Sequence, residues 1–238
     1  MKEGFKKLLS VALLFTLYPL SFLVRRNKNI WVFGSYRNSF TDNAKYQFLW
    51  TANNAKDIKI IWISGSKKLI NELRSKGYAA HSRWSPAGLI TTLKAGVYVY
   101  SSYLSDINFL TSGSAKRVNL WHGVGLKKIE FKIDSGPLRA IYRNSLVNWN
   151  RLLVPHSYAR PDIMLSTSPM MTDHFSACFR IAQNKCFEAM YPRLALHTNT
   201  ELKMQALQFG QYAEIKEKMG RFRNRWIYMP TWRDDQSK

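Results

Sequence analysis

Short apolar runs alternate with amphipathic or polar stretches along most of the chain. Ile30-Trp31-Val32-Phe33, closed by Gly34, reads as a buried strand, and Ile58–Ser64 as a second one, β-branched and apolar. Between them, Thr41 or Asp42 can cap a helix running to about Asn53. Lys67–Lys76 predicts a helix closed by Gly77, and Tyr78-Ala79-Ala80 a short third strand. Ser85-Pro86 opens a helix near 86–95, with proline at its first position and Gly96 at its end. Val97–Tyr100 and Arg117–Trp121 are the next strands. Pro137–Asn148 then reads as a helix, Ile163–Ser166 as a strand, Pro169–Phe179 as a helix, and Thr200 to about Lys218 as a long polar helix.

Strands alternating with helices imply an α/β fold, a Rossmann-like parallel sheet with helices on both faces. Right-handed crossovers place the loops after the strands along one edge, where ligands bind in such folds. Four loops follow from this: Gly34–Asp42, Ser101–Asn108, His122–Lys128 and Ser166–Thr172. Near the end, Trp226-Ile227-Tyr228-Met229 predicts a fresh strand followed at once by Pro230-Thr231-Trp232-Arg233. The expected division is an apolar helix over 1–28, a Rossmann-like domain over 29–222, and over 223–238 the first strand and loop of a second domain. A C-terminal edge strand added to the first sheet is the alternative.

The first segment bears on location. Lys2, Lys6 and Lys7 precede an apolar stretch, Leu8–Val24, interrupted by Pro19; Arg25, Arg26 and Lys28 follow. The stretch is shorter than the ~20 residues a spanning helix needs, and both flanks are basic. Three readings stay open: a helix lying in the membrane interface, a short anchor entering the bilayer, and a helix packed on the protein's own core.

Composition narrows the classes. With 46% hydrophobic, 14% aromatic and 21% charged residues, the chain is not of the disordered type. Its 36 Lys and Arg against 15 Asp and Glu give a formal charge of +21, which attracts polyanions without choosing among nucleic acid, anionic lipid and phosphorylated substrates. Cys178 and Cys186 offer neither metal spacing nor a disulfide framework, and no carboxylate cluster has metal-ligand spacing, so no metal and no cofactor are expected. His156, His174 and His197 fall on different predicted elements and read as local structure.

Leu120-Trp121-His122-Gly123-Val124-Gly125-Leu126-Lys127-Lys128 is the densest chemical signal. A strand delivers His122 to the binding edge, the glycines let backbone approach a ligand, and the lysines suit a phosphate. Histidine can take a proton from an alcohol near neutral pH; a histidine that only hydrogen-bonds within its turn fits the same residues.

This stretch resembles the WHG-x-x-LK motif of the CDP-glycerol glycerophosphotransferase family, the teichoic-acid glycerol-phosphate primases and polymerases with relatives that make phosphate-containing capsules. Val32-Phe33-Gly34-Ser35 with Asp42-Asn43-Ala44-Lys45 is similar to the family's first strand and its DN-x-K helix start. Tyr191-Pro192-Arg193 resembles its GYPR element, with Met190 in place of the glycine. Tyr228-x-Pro230-Thr231-Trp232-Arg233 resembles its Y-x-PTWR element, which opens the second domain. The resemblance runs from about Asn29 to Lys238.

What the resemblance implies is the N-terminal half of a GT-B-type two-domain transferase. A hydroxyl of a membrane-bound polyol-phosphate or lipid-linked saccharide acceptor attacks the β-phosphate of CDP-glycerol, and CMP leaves. His122 is the implied general base, with Asp106 as a candidate to orient it. Lys127 and Arg233 are implied to offset phosphate charge and Thr231 to donate to a phosphate oxygen. Asn43 and Lys45 are placed to meet an anionic acceptor, and Gly34, Ser35, Gly123 and Arg193 complete the expected substrate contacts. Lys45, Lys127 and Lys128 also read as plain solvated charges. The expected partners are an anionic membrane surface at the cytoplasmic face, a polyanionic or lipid-linked acceptor and a nucleotide-activated donor. The family's second domain, which carries most nucleotide contacts, is not found after Lys238, so the chain alone is expected to be inactive. A non-catalytic acceptor-binding module and a truncated remnant are the competing readings. Nucleic-acid binding rests on charge alone, with no zinc-finger, RRM-like or recognition-helix signature.

Overall fold

The computed structural model describes residues 2–125, 127–136, 138–143, 154–210 and 212–229. Its strands are β1 (Asn27–Gly34), β2 (Lys59–Ser64), β3 (Ala80–Ser82), β4 (Ala95–Tyr100), β5 (Lys116–Asn119), β6 (Ile163–Ser166) and β7 (Cys186–Glu188). They form one sheet in the order β3-β2-β1-β4-β5-β6-β7, and every neighbouring pair is parallel. The helices are α1 (Lys2–Leu23), α2 (Asp42–Asn54), α3 (Lys67–Ser75), α4 (Pro86–Lys94), α5 (Arg139–Arg143), α6 (Pro169–Phe179), α7 (Thr200–Leu207) and α8 (Tyr212–Gly220).

The period of two in the strands decides which face each residue serves. Phe33, Trp62 and Val99 point to a core they share with Ala44, Phe48 and Leu49 of α2, Ile70 and Leu73 of α3, and Leu202 and Ala206 of α7. Their neighbours Val32, Ile61 and Tyr98 point the other way, to a core with Leu104, Ile107 and Ala115. The Tyr98 hydroxyl reaches the Thr92 carbonyl of α4 (2.8 Å), which fixes that helix on this second face. Both faces are covered, as near-continuous apolar strands require. The Ser66, Ser85 and Ser168 side chains cap α3, α4 and α6, each accepting from a backbone N–H in the first turn.

Some boundaries differ from expectation. β3 starts at Ala80, because residues 80–82 are the ones that find register with Trp62–Ser64. Gly96 does not end a helix; α4 passes straight into β4, which contains it. The expected long helix from Thr200 is two helices, α7 and α8, because Phe209 turns inward against Phe40 and Tyr78 and Gly210 follows at φ +84°. Of the expected helix over 137–148, the described part is α5; Pro137 and residues 144–148 lie outside the described residues. Trp226–Met229 forms no strand.

The end of α1 is tied to the domain. Tyr18 stacks on Phe109 (ring centroids 4.6 Å apart), and the Ser21 hydroxyl accepts from Gly113 N–H (3.0 Å). The Arg26 guanidinium donates to the carbonyls of Ser21, Thr92 and Thr111 at 2.8–2.9 Å. The packed reading therefore describes this end of the helix. Phe15 and Leu23 are left exposed on it, and no described helix is long and apolar enough to cross a membrane.

Candidate active site

Strand order reverses between β1 and β4, and the segments that follow them pack in the cores of opposite sheet faces, Ala44 of α2 in one and Leu104 and Ile107 in the other. A cleft of about 410 Å³ opens at this point, lined by Tyr36, Arg37, Asp42, Ser102, Tyr103, Trp121 and His122. Four non-glycine residues around it take left-handed backbone: Arg37 (φ 55°), Asn38 (φ 58°), Asp42 (φ 61°) and Trp121 (φ 50°). Such conformations cost on the order of 1 kcal/mol or more each and collect where a site needs a particular presentation.

His122 enters from the end of β5. The Asn119 side chain accepts from Trp121 N–H (2.9 Å) and donates to the Ser102 carbonyl (3.2 Å), so the turn after β5 is fixed to the loop after β4. The Trp121 indole packs against Phe175 and Phe179 of α6 and stacks on the His122 ring, 4.2 Å between centroids. The Nδ1 of His122 faces the Ser101 carbonyl at 3.0 Å, with Ser102 Oγ at 3.4 Å. A carbonyl can only accept, so in the neutral ring Nδ1 carries the proton and Nε2 keeps its lone pair.

Three segments far apart in the chain meet behind this histidine. Asn43, fully buried, donates to the carbonyls of Leu120 (3.3 Å) and Trp121 (2.8 Å) and accepts from Arg193 N–H (3.3 Å). The Arg193 guanidinium donates to the His122 carbonyl (2.8 Å) and pairs with Asp42 (3.2 Å). The Tyr191 hydroxyl donates to the Gly123 carbonyl (2.7 Å). Burial raises the pKa of the Asp42 carboxyl, opposed by the Asn43 N–H and by the charges of Arg193 and His122.

Asp106 makes no hydrogen bond to His122. Its carboxylate accepts from Ser102 N–H (3.0 Å) and Tyr103 N–H (3.2 Å), shaping the loop whose Ser101 carbonyl meets the imidazole. Burial pushes its pKa up to about 7, against those two N–H groups and Arg83. Tyr103, the next cleft residue, is held by its hydroxyl on the buried Glu130 carboxylate (2.7 Å), which the Tyr142 hydroxyl also reaches.

Other expected site residues stand elsewhere. Lys45 is turned away: its ammonium donates to the Ala206 carbonyl (3.0 Å) among the rings of Phe40, Tyr46 and Phe209, and burial lowers its pKa. The sequence places it at a helix start, but one turn of helix carries it under α7. Gly34 is packed closely against protein, since a Cβ there would lie 2.5 Å from the Asp106 carbonyl oxygen. Ser35 is buried, its hydroxyl donating to the Ser39 carbonyl (2.9 Å). The close approach at Gly125 is likewise internal, to the His174 ring, whereas Gly123 has room on its Cβ side. Lys127 is exposed beyond the turn, and Lys128 pairs with Asp134. Thr231 and Arg233 lie outside the described residues. Among the described residues no His, Cys, Asp and Glu group is placed to hold a metal ion.

Sequence reasoning missed Asp42, Tyr36, Arg37, Ser102 and Tyr103 as cleft residues. Asp42 stood inside a quoted motif and was read only as a cap. The others lie in loops marked as informative, but no spacing rule singles them out.

The family profile described as CDP-Glycerol:Poly(glycerophosphate) glycerophosphotransferase matches residues 16–238. No curated protein matches the chain. Among solved structures it is similar to the wall teichoic acid polymerase TagF, with 18% identity and TM-score 0.64 over 100% of this chain and 58% of that one. A TagF variant soaked with CDPG gives 17% identity and TM-score 0.65, covering 98% and 57% of the two chains. At this identity the likeness establishes the fold. The chain spans a little over half the length of these polymerase chains.

Proposed function

The chain belongs to the CDP-glycerol:poly(glycerophosphate) glycerophosphotransferase family, and from that premise we propose that it carries the acceptor side and the general base of such a transferase. The reaction is transfer of glycerol phosphate from CDP-glycerol to a membrane-bound polyol-phosphate or lipid-linked saccharide acceptor. The acceptor hydroxyl oxygen bonds to the β-phosphorus, the bond from that phosphorus to the CMP oxygen breaks, and CMP leaves. The hydroxyl proton goes to Nε2 of His122.

One observation carries this reading: the Ser101 carbonyl at 3.0 Å from Nδ1 holds the imidazole in the tautomer a base needs, in the cleft at the carboxyl ends of β1 and β4. Asn43, Arg193 and Tyr191 fix the backbone around it through the carbonyls of Trp121, His122 and Gly123. Asp106 acts one step removed, through the loop that bears Ser101. The donor's nucleotide belongs to a second Rossmann-like domain facing the first, as in GT-B enzymes. Thr231 and Arg233 are assigned to its phosphates, with Lys127 at the rim.

The charge of +21 and the exposed Phe15 and Leu23 of α1 suit an anionic membrane surface at the cytoplasmic face. The test is transfer of labelled glycerol phosphate from CDP-glycerol to a membrane fraction by this chain extended with a family second domain. His122→Ala is expected to lower the rate by about 10²–10⁴-fold, the usual worth of a general base. A folded extended protein whose His122→Ala form transfers at an undiminished rate removes the base role. A folded extended protein with no activity leaves an acceptor-binding module as the better reading.

A further inference from the structure

We infer that Arg37 forms an anion subsite in the cleft, taking the phosphate of the acceptor whose hydroxyl is presented to His122. This deepens the proposed function and rests on it. Arg37 lines the cleft from the loop after β1, while His122 enters from the loop after β5. The carboxylate of the cleft, Asp42, is already paired with a different cation, Arg193, at 3.2 Å. No carboxylate among the described residues forms an ion pair with Arg37. Its guanidinium lies instead 5.1 Å from the centroid of the Tyr36 ring, a contact that orients the group without neutralising its charge.

The backbone makes the placement costly. Arg37 sits at φ 55°, ψ 32°, and Asn38 follows at φ 58°. Left-handed backbone at a residue with a Cβ is unfavourable, and glycine is the usual occupant. Here the turn is held open by its neighbours. The Asn38 side-chain oxygen accepts from Gly65 N–H (2.8 Å) and from the Arg83 guanidinium (3.0 Å), and the Asn38 carbonyl accepts from Ser64 Oγ (3.0 Å). The end of β2 thus pins a strained turn at Asn38, and the residue before it, Arg37, lines the cleft. An arginine kept where glycine would be easier is accounted for by its side chain: a planar fork with five N–H donors, matched to phosphate oxygens. In a glycerol-phosphate chain the terminal hydroxyl and the nearest phosphate are one glycerol unit apart. Both ends of that unit then fall within one cleft of about 410 Å³.

The anion could come from the acceptor or from the donor's diphosphate, and binding separates the two. The full chain is titrated at low salt with sn-glycerol 3-phosphate, CMP and glycerol, following heat or amide shifts. Wild type and His122→Ala are expected to bind glycerol 3-phosphate alike, and glycerol not at all. Arg37→Gly is expected to bind it about 10-fold or more weakly, as for loss of a charge-assisted contact, while its thermal midpoint stays or rises because glycine suits the backbone. Arg37→Lys is expected between the two, since it keeps the charge and loses the fork. Equal affinity in wild type and Arg37→Gly, or no binding by wild type, overturns the subsite. A loss confined to CMP assigns the anion to the donor and overturns the acceptor assignment. The readout needs no turnover, so its failure leaves the His122 test standing, and failure of the His122 test leaves this one interpretable.

Discussion

Ile30-Trp31-Val32-Phe33 and Trp226-Ile227-Tyr228-Met229 are alike as sequence: both are short apolar runs with a tryptophan and an isoleucine, and both predict a strand. In the molecule they part company. Val32 and Phe33 are fully buried in β1, between β2 and β4. Trp226, Ile227, Tyr228 and Met229 are 95%, 77%, 89% and 85% exposed and belong to no strand. The difference lies in what stands on either side. A strand takes its stability from backbone partners and from side chains packed on its faces. β1 has both, and its carboxyl end is further joined through α2 to β5 by the polar contacts of Asn43.

Removing that polar junction should bring the two regions closer in behaviour, and it carries the largest expected effect on stability. Asn43→Ala leaves the Leu120 and Trp121 carbonyls and the Arg193 N–H without their partner in a buried place. Each orphaned group costs roughly 1–3 kcal/mol, with partial relaxation, so a loss of about 3 kcal/mol is expected in denaturant unfolding. Asn43→Asp should not restore it, because a carboxylate would face two carbonyls. A loss below about 1 kcal/mol would mean that the junction orders the turn without holding the fold together.

The same contrast shows how much was legible beforehand. The parallel sheet was readable because its central strands are apolar runs bounded by polar or glycine punctuation, and α6 matches its expected bounds, Pro169–Phe179; β7, Cys186–Glu188, is short and largely exposed, and no apolar run announced it. The position of His122 at the cleft was readable because the residue follows the end of a predicted strand. What escaped was tertiary. Nothing near Lys45 in the sequence announces that Ala206 will return to take its ammonium. Nothing near Asp106 announces that its carboxylate will fold back on Ser102 and Tyr103 rather than reach His122. Arg193 was expected as a ligand contact, yet its guanidinium is engaged by Asp42 and the His122 carbonyl, a partnership between motifs that one-dimensional spacing does not reveal.

The β4 side of the junction can be probed by pH. Asp106 has a pKa raised to about 7, chiefly by burial. The folded chain therefore holds a proton on it that the unfolded chain gives up near pH 4. Between about pH 4 and 7 the native state binds more protons, so this group makes stability fall as pH rises; above 7 its contribution is constant. Asp106→Asn should flatten that part of the profile, by up to about 1.4 kcal/mol per pH unit. An unchanged slope in thermal unfolding from pH 4 to 7 would show that Ser102, Tyr103 and Arg83 keep the carboxylate ionised throughout.

The smallest expected effect belongs to the exposed run. Tyr228→Ser, or Trp226→Ser, removes a large ring that touches little of the described chain, so unfolding free energy should move by less than about 0.5 kcal/mol. Val32→Ala deletes fewer atoms, but from a fully buried position, and should cost about 1 kcal/mol or more. Hydrogen exchange states the contrast without mutation. Amides of 226–229 should exchange near the rate of an open chain, and those of Val32 and Phe33 only through large-scale unfolding. Protection over 226–229, or a loss above 1 kcal/mol at Tyr228, would mean that this run already packs against the domain. A strand-like sequence would then have found its partner, and the lesson drawn from its exposure would fail at the residue that most clearly teaches it.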